Sequence, residues 1–394
     1  MKASAETYCF ASATSFVLSG LFRLFAYYTK LPPKREARAP QIASIGAVAR
    51  EDKTGKIWYY MRSNGNGETE GMKILVTGAA GFIGYHAARE FLRRGWRVAG
   101  IDNFCDYYDV RLKRDRVAQI AASPEASRFF MRELDICDLD GLKAAFAEES
   151  PDVVLNLAAQ PGVRYSIAHP FVYERTNVAG FLNVLECCRH AAKTPKLVFA
   201  SSSSVYGGNT KMPFEEDDKV DTPVSLYAAT KKANELMAHT YSHLYGMQTI
   251  GLRFFTVYGA WYRPDMALSL FADAMLHGRP LKVFNNGDML RDFTFVDDIV
   301  DGIVRVAEAE GLPRYGIYNI GNHRSEKLLD VIETLAAALG VEPKLEMLPM
   351  QAGDVYATYA SVDKLNKAVG YEPKTTIREG IPVFAKWYRE YHGL

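Results

Sequence analysis

From Lys73 onward the chain alternates short apolar runs with stretches whose apolar residues recur every three or four positions. Lys73-Ile74-Leu75-Val76-Thr77 reads as a first strand, and the pattern after Gly84 as a helix running to Arg94 with Gly95 as its C-cap. Further strands are expected at 96–101, 129–131, 153–156, 197–200 and 248–252, with helices between them near 139–148, 174–191 and 226–244. This alternation is the pattern of an α/β fold, a doubly wound parallel sheet. After Gly259 it loosens into helical segments around 264–277, 295–310 and 325–339, with short strands such as Leu281-Lys282-Val283-Phe284 and Tyr318-Asn319-Ile320 between. The expectation there is a smaller C-terminal α/β lobe beside the sheet's carboxyl edge, where ligands of open α/β sheets bind.

Residues 1–71 do not share the alternation. The stretch 10–28 is fairly apolar but carries Arg23 among serines and threonines, short of the about 20 mainly apolar residues a spanning helix needs. Ser63-Asn64-Gly65-Asn66-Gly67-Glu68 reads as a linker. A weak membrane anchor, a flexible or disordered leader, and sequence outside the working protein all remain open, and a dispensable leader is favoured.

A chain of 394 residues has room for two or three domains. Apolar content of 48% and charged content of 24% are those of an ordinary soluble globular protein. A formal charge of +1 supplies no field for nucleic acid or an anionic membrane, so an anionic ligand needs local positive groups. Cys9, Cys105, Cys137, Cys187 and Cys188 show no C-x-x-C spacing, and an odd count suits a reducing, cytoplasmic compartment. Adjacent Cys187 and Cys188 read as buried thiols, and no metal site is expected.

The chemistry concentrates in two motifs. Gly78, Gly81 and Gly84 follow a strand and open a helix, where small residues let the backbone approach a pyrophosphate. Asp102 ends the second strand about 20 residues on, where a carboxylate binds a ribose diol and repels a 2′-phosphate, favouring NAD over NADP. Asp135-Ile136 reads equally as an adenine contact or a surface turn. Asn156-Leu157-Ala158-Ala159-Gln160 ends the fourth strand in small residues suited to a flat cofactor. The second motif is Tyr227-Ala228-Ala229-Thr230-Lys231, whose phenol and ammonium share a helix face. The ammonium is expected to lower the phenol's pKa. Ser201-Ser202-Ser203-Ser204 follows the fifth strand and offers a hydroxyl beside the Tyr227 oxygen. A phenol poised to lose its proton beside a hydride acceptor oxidises an alcohol.

With these residues the chain resembles the extended short-chain dehydrogenase/reductase superfamily over essentially 72–394. Within it, the chain is most similar to the nucleotide-sugar 4-epimerases of the UDP-glucuronate type. The resemblance implies a Rossmann-like NAD-binding domain at 72–252 and a sugar-nucleotide lobe at 253–394, with some segments returning to the first. It implies cofactor contacts from Gly78, Gly81, Phe82, Ile83, Gly84, Asp102, Asp135, Ile136, Ala158, Tyr227 and Lys231. Ser202 then partners Tyr227, and Lys231 holds the nicotinamide ribose. Tyr227 takes the proton of the sugar's 4-hydroxyl as C4 delivers hydride to NAD, and the 4-keto sugar turns over before the hydride returns to its other face.

Substrate contacts are implied for Ser202, Ser203, Thr256, Arg263, Arg291 and Asp354. Within Arg253-Phe254-Phe255-Thr256-Val257-Tyr258-Gly259-Ala260-Trp261-Tyr262-Arg263-Pro264-Asp265-Met266, Thr256 and Arg263 stand at positions associated with a C6 carboxylate. Oxidation at C4 makes the uronate a β-keto acid, so a guanidinium clamp also guards against loss of carbon dioxide. Arg291 corresponds to a UDP-phosphate contact and Asp354 to a position near the uridine ribose. Related decarboxylases carry a glutamate where this chain has Ser204, and related dehydratases an acidic pair at Ser203 and Ser204. UDP-glucuronate decarboxylation, a UDP-glucose/galactose-type epimerase, and an NAD-binding scaffold or redox sensor are the alternatives. Ala260, Tyr262, Pro161, Tyr356 and Gln351 depart from the pattern, and a bulky Tyr262 is expected to narrow the pocket or shift Arg263. The partners implied are a UDP-sugar and a second copy in a homodimer, with a membrane only if the leader anchors the chain.

Overall fold

Ile74, Leu75 and Val76 are aliphatic on both faces of one strand, a pattern that suits the middle of a sheet covered on both sides. In the computed structural model, which describes residues 47–51, 57–61, 71–350 and 356–394, they occupy that place. The described residues form a main sheet of nine strands. These are β1 (Ala47–Glu51), β2 (Ile57–Met61), β3 (Lys73–Thr77), β4 (Arg97–Asp102), β5 (Phe129–Glu133), β6 (Val153–Asn156), β7 (Lys196–Ser202), β8 (Thr249–Phe254) and β9 (Tyr315–Ile320). Their order is β1-β2-β5-β4-β3-β6-β7-β8-β9, parallel from β5 to β9. The chain direction across the sheet reverses between β3 and β6, which opens a crevice at their carboxyl ends.

Alternate residues of each strand feed two cores. Ile74, Val76, Val98 and Val198 pack with α1 (Phe82–Arg93), and Leu75, Ile101, Val154 and Leu197 pack on the other face. That second face carries α3 (Leu139–Glu149), α4 (Phe181–His190) and α5 (Leu226–Tyr245), while α2 (Val110–Ala121) lies beside α1. Each fully buried aliphatic side chain contributes about 1.5–3 kcal/mol. The later chain adds α6 (Ala267–Leu276), α7 (Val296–Glu308), α8 (Leu328–Leu339) and α9 (Ile377–His392). Helix α7 joins the α1 face, and its successor β9 extends the main sheet beyond β8. Two short parallel pairs, Thr256–Tyr258 with Phe293–Phe295 and Leu281–Val283 with Leu345–Met347, lie outside the main sheet.

One expectation needs correction. The leader was read as continuous to residue 71, but β1 and β2 form an antiparallel hairpin within it, and β2 pairs antiparallel with β5. The run Ile57-Trp58-Tyr59-Tyr60-Met61 is strand-like in composition. Its pairing partner lies about seventy residues downstream, so nothing local marks it as part of the sheet. The apolar stretch 10–28 and the linker 63–68 lie outside the described residues. Among the described residues no helix is long and apolar enough to cross a membrane.

Candidate functional site

Strand β3 ends in a turn that glycine makes possible. Gly78 has φ +72°, and its amide and that of Ala79 both donate to the Ile101 carbonyl at 2.7 and 3.1 Å. A Cβ on Gly78 would stand 2.8 Å from the Ala158 amide nitrogen, and one on Gly84 would stand 2.1 Å from the Gly78 carbonyl oxygen. Larger residues would push β3, β6 and α1 apart. Helix α1 begins at Phe82 with no side-chain cap and no acidic residue in its first turn, leaving its positive end to an anion. Ile83 follows in the same turn, half-buried against the α1 face core.

Asp102 is buried at the end of β4. It accepts from the Ala80 amide at 3.2 Å and the Phe104 amide at 2.8 Å. Lys113 of α2, unnoticed in the sequence, lies 3.4 Å away. The carboxylate is therefore ion-paired, which weakens the net repulsion of a phosphate that the sequence led one to expect and leaves its remaining acceptor capacity for a diol. Asp135 takes the turn role: it accepts from the Cys137 amide at 2.8 Å and from Asn103 at 3.2 Å. The Ile136 side chain is in the core, and its carbonyl accepts from Asn183 at 3.0 Å. Ala158 donates to Thr77 Oγ1 at 3.2 Å, which ties the ends of β3 and β6 together at the crevice.

The catalytic candidates meet at the end of β7. Ser202 caps the turn Ser203–Tyr206, accepting from the Ser204 amide at 3.2 Å. Ser225 caps α5 by accepting from the Ala228 amide at 3.1 Å, which sets Tyr227 and Lys231 in its first turns. Burial pushes the pKa of the Tyr227 phenol above the ordinary tyrosine value, while the Ser202 hydroxyl and the charge of Arg263 pull it back. Lys231 is drawn to a partner on another element. Its ammonium donates to the Ala200 carbonyl at 2.8 Å, and burial lowers its pKa to about 8. The shared helix face was legible, but the carbonyl that draws the ammonium belongs to another element.

Three supports escaped the sequence reading. Asn177, in the π-helical turn Glu174–Gly180 that interrupts the expected helix 174–191, bonds Gln160 and the Thr230 hydroxyl at 2.7–3.1 Å. Glu235 of α5 accepts from Ser201 at 2.7 Å and takes Arg253 of β8 in a two-pronged bond at 2.8 and 2.9 Å. Arg116, fully buried, donates to the carbonyls of Ala80 and Trp261 at 2.6–3.1 Å and so links the glycine turn to the Arg263 loop. Asn177 and Glu235 lay in plain sight as polar residues on the inward side of helical runs.

The Arg263 loop is held from several sides. His86 of α1, kept neutral because burial drives its pKa down to about 3, bonds the Ala260 carbonyl at 2.9 Å. Tyr262 neither narrows the pocket nor faces it: the ring packs in the core between Phe82 and Phe384, 5.0 and 5.9 Å away by ring centres. Its buried hydroxyl has no hydrogen-bond partner, so Tyr262→Phe is expected to stabilise the fold by about 1–2 kcal/mol. A urea unfolding midpoint that falls in the variant would contradict this. Arg263 itself bonds Asp265 through Nε at 3.0 Å and Nη2 at 2.5 Å.

Thr256 and Arg291 are brought close by backbone pairing, the Thr256 amide donating to the Asp292 carbonyl at 3.1 Å. Arg291 donates to the Leu290 and Tyr356 carbonyls, each at 2.9 Å. Ser203 lies in the turn after β7, one residue from Ser202. Asp354 and Gln351 lie outside the described residues.

Comparison with known proteins matches this geometry to a family. The model of the NAD dependent epimerase/dehydratase family fits residues 74–321. Protein CapI of Staphylococcus aureus is 47% identical over 337 residues, 82% of this chain and 99% of its own. UDP-glucuronate 4-epimerase 2 of Arabidopsis thaliana is 42% identical over 395 residues, 96% of this chain and 88% of its own. The structure of a Bacillus cereus UDP-glucuronic acid 4-epimerase in complex with UDP-glucuronic acid and NAD has a TM-score of 0.76 at 34% identity, covering 81% of this chain and all of that one. Matched from the first core strand to the residue after β9, the chain belongs to the NAD dependent epimerase/dehydratase family.

Proposed function

We propose that this protein is an NAD-dependent 4-epimerase that interconverts UDP-glucuronate and UDP-galacturonate through a transient 4-keto sugar. The observation that carries the reading is the convergence of Ser202, Tyr227 and Lys231 at the end of β7, with the Lys231 ammonium 2.8 Å from the Ala200 carbonyl of that strand. The relatives named as UDP-glucuronate 4-epimerases, and the Bacillus cereus complex with UDP-glucuronic acid and NAD, support the same substrate.

The glycine turn, the uncapped start of α1, Asp102 and Ala158 suit a dinucleotide, because an added Cβ would fill the turn. When bound, NAD supplies a reversible acceptor for the hydride of the sugar's C4. The chain's own residues do the rest. Tyr227 accepts the 4-hydroxyl proton, holds it at the phenolic oxygen and returns it, with Ser202 fixing the direction of transfer. Lys231 holds the ribose and keeps the end of β7 seated through Ala200. Arg291 neutralises the UDP phosphates. The hydroxyl of Ser204, bonded to Ser202 at 3.1 Å, stands where a decarboxylase places an acid, which disfavours that alternative. Incubation of the full chain with UDP-glucuronate and NMR of the products tests the reading. UDP-galacturonate without UDP-pentose is the expected result; UDP-pentose as main product, or stoichiometric consumption of added NAD, would overturn it.

We also infer a homodimer through α4 and α5. Phe171, Leu182, Leu236 and Leu244 are exposed at 85%, 40%, 58% and 61%, an apolar surface a monomer leaves in water. Leu236→Glu with Leu244→Glu is expected to halve the mass seen in sedimentation; an unmodified chain that is already monomeric at micromolar concentration would rule the dimer out. Cys105, Cys137, Cys187 and Cys188 are free thiols, which supports a cytoplasmic location.

A further inference from the structure

The Arg263 guanidinium already holds a carboxylate. Asp265, two residues on, takes the Nε–Nη2 edge of the fork with both oxygens, at 3.0 and 2.5 Å. Tyr107, in the loop between β4 and α2, donates its hydroxyl to Asp265 Oδ2 at 3.2 Å, and its ring lies 5.8 Å from the guanidinium carbon. The Tyr107 hydroxyl is confined in turn by Gly162, where a Cβ would stand 2.8 Å from it. Asp265 lies in the run that carries the resemblance but has no role assigned there, and Tyr107 lies outside it.

A guanidinium presents two donor edges suited to carboxylates, and occupation of one fixes the plane and direction of the other. The edge formed by Nη1 and Nη2 then receives a second carboxylate in one orientation only. We propose that Asp265, steadied by Tyr107, is a positioning residue that aims this second edge of Arg263 at the substrate carboxylate and so limits decarboxylation of the oxidised sugar. The inference rests on the UDP-uronate reading above.

The chemistry explains why aim matters. In the 4-keto uronate the C5–C6 bond breaks when it lies parallel to the carbonyl π system. Its electron pair enters the C4 carbonyl as an enolate, carbon dioxide leaves, and a proton adds at C5. The two electrons taken from C4 return to the resulting ketone, giving a UDP-pentose with no outside oxidant. A carboxylate held in a fixed plane keeps that bond away from the alignment. A guanidinium without its anchor swivels and permits it. Asp265 also offsets part of the charge of Arg263, so that a carboxylate of the substrate is bound firmly without being trapped.

The test uses the full-length holoenzyme with Asp265→Asn, which keeps the side chain's size and removes its charge. Bound NAD and the thermal midpoint are recorded first, and Tyr107→Phe serves as the milder second variant. For Asp265→Asn the KM for UDP-glucuronate is expected to rise about tenfold while kcat changes less than about threefold. UDP-pentose is expected beside UDP-galacturonate in the product NMR, with a smaller share for Tyr107→Phe. A folded Asp265→Asn enzyme with the KM and product ratio of the parent overturns the assignment of Asp265 alone. A parent enzyme inert toward UDP-glucuronate overturns the substrate reading and the inference with it.

Discussion

Replacement of Tyr227 by phenylalanine is expected to lower kcat for UDP-glucuronate by on the order of a thousandfold while NAD stays bound. In the proposed mechanism the phenolic oxygen takes and returns the 4-hydroxyl proton. Phenylalanine leaves the ring and its edge contact with Tyr173, 6.1 Å between centres, in place. Loss of fold is therefore not an explanation open to this variant, and retained cofactor absorbance checks that. The pH profile carries a second reading. Burial raises the phenol's pKa, and Ser202 and Arg263 lower it; Tyr173 and Lys231 are the other titratable groups packed around it. Removing the Ser202 hydroxyl as Ser202→Ala takes away a lowering influence, so the acidic, ascending limb of the kcat profile, where the phenol must lose its proton, is expected to move to higher pH. A Tyr227→Phe loss below tenfold, or an unmoved limb in Ser202→Ala, would assign the proton to another group.

The second large effect is on stability. Arg253→Met is expected to destabilise the fold by about 3–5 kcal/mol, because it removes the two-pronged partner of buried Glu235 and leaves only the Lys232 ammonium, 3.2 Å from one oxygen. Glu235 and Arg253 have side chains only 1% and 3% exposed. Arg253 also donates to the Tyr206 hydroxyl at 3.0 Å, so one substitution unravels a network running from α5 to β8. Burial alone would raise the Glu235 pKa, but the Arg253 bonds and charge hold it below the ordinary range. Without Arg253 the raising influence prevails, and the folded state then prefers the protonated acid. A group with a raised folded pKa loses stability as pH rises, so the deficit should be greater at pH 7 than at pH 5. Thermal midpoints at the two values test this, and equal deficits would mean that Glu235 is not the group left unpaired. Since Ser201 bonds the same carboxylate beside Ser202, turnover is expected to fall with the folded fraction and beyond it.

Legibility in the sequence followed the range of the interactions. The glycine turn was readable because Gly78, Gly81 and Gly84 act within one strand-turn-helix unit, where backbone geometry is set by neighbours. Tyr227 and Lys231 were readable as a pair for the same reason, since four residues of helix bring them to one face. The direction of the Lys231 ammonium was not, because Ala200 lies on a different strand. Tyr262 was misjudged on size: the core between Phe82 and Phe384 had space for its ring, and no local pattern reveals a cavity. The β1–β2 hairpin was absorbed into the leader because its partner strand is remote.

By itself, then, the amino-acid order determined the doubly wound sheet, the glycine turn and the helix face that carries the phenol proposed to move the proton. Each follows from periodicity or spacing over a few residues, where bond geometry and local hydrogen bonds dominate. Tertiary structure alone decided what charge each group feels: Lys113 beside Asp102, Arg263 acting on Tyr227, Asp265 in the fork of Arg263 and Glu235 locked to Arg253. Burial strengthens such pairings, and burial is a property of the packed chain as a whole. Even Asp265, two residues from Arg263, gained its meaning only when Tyr107 closed over it.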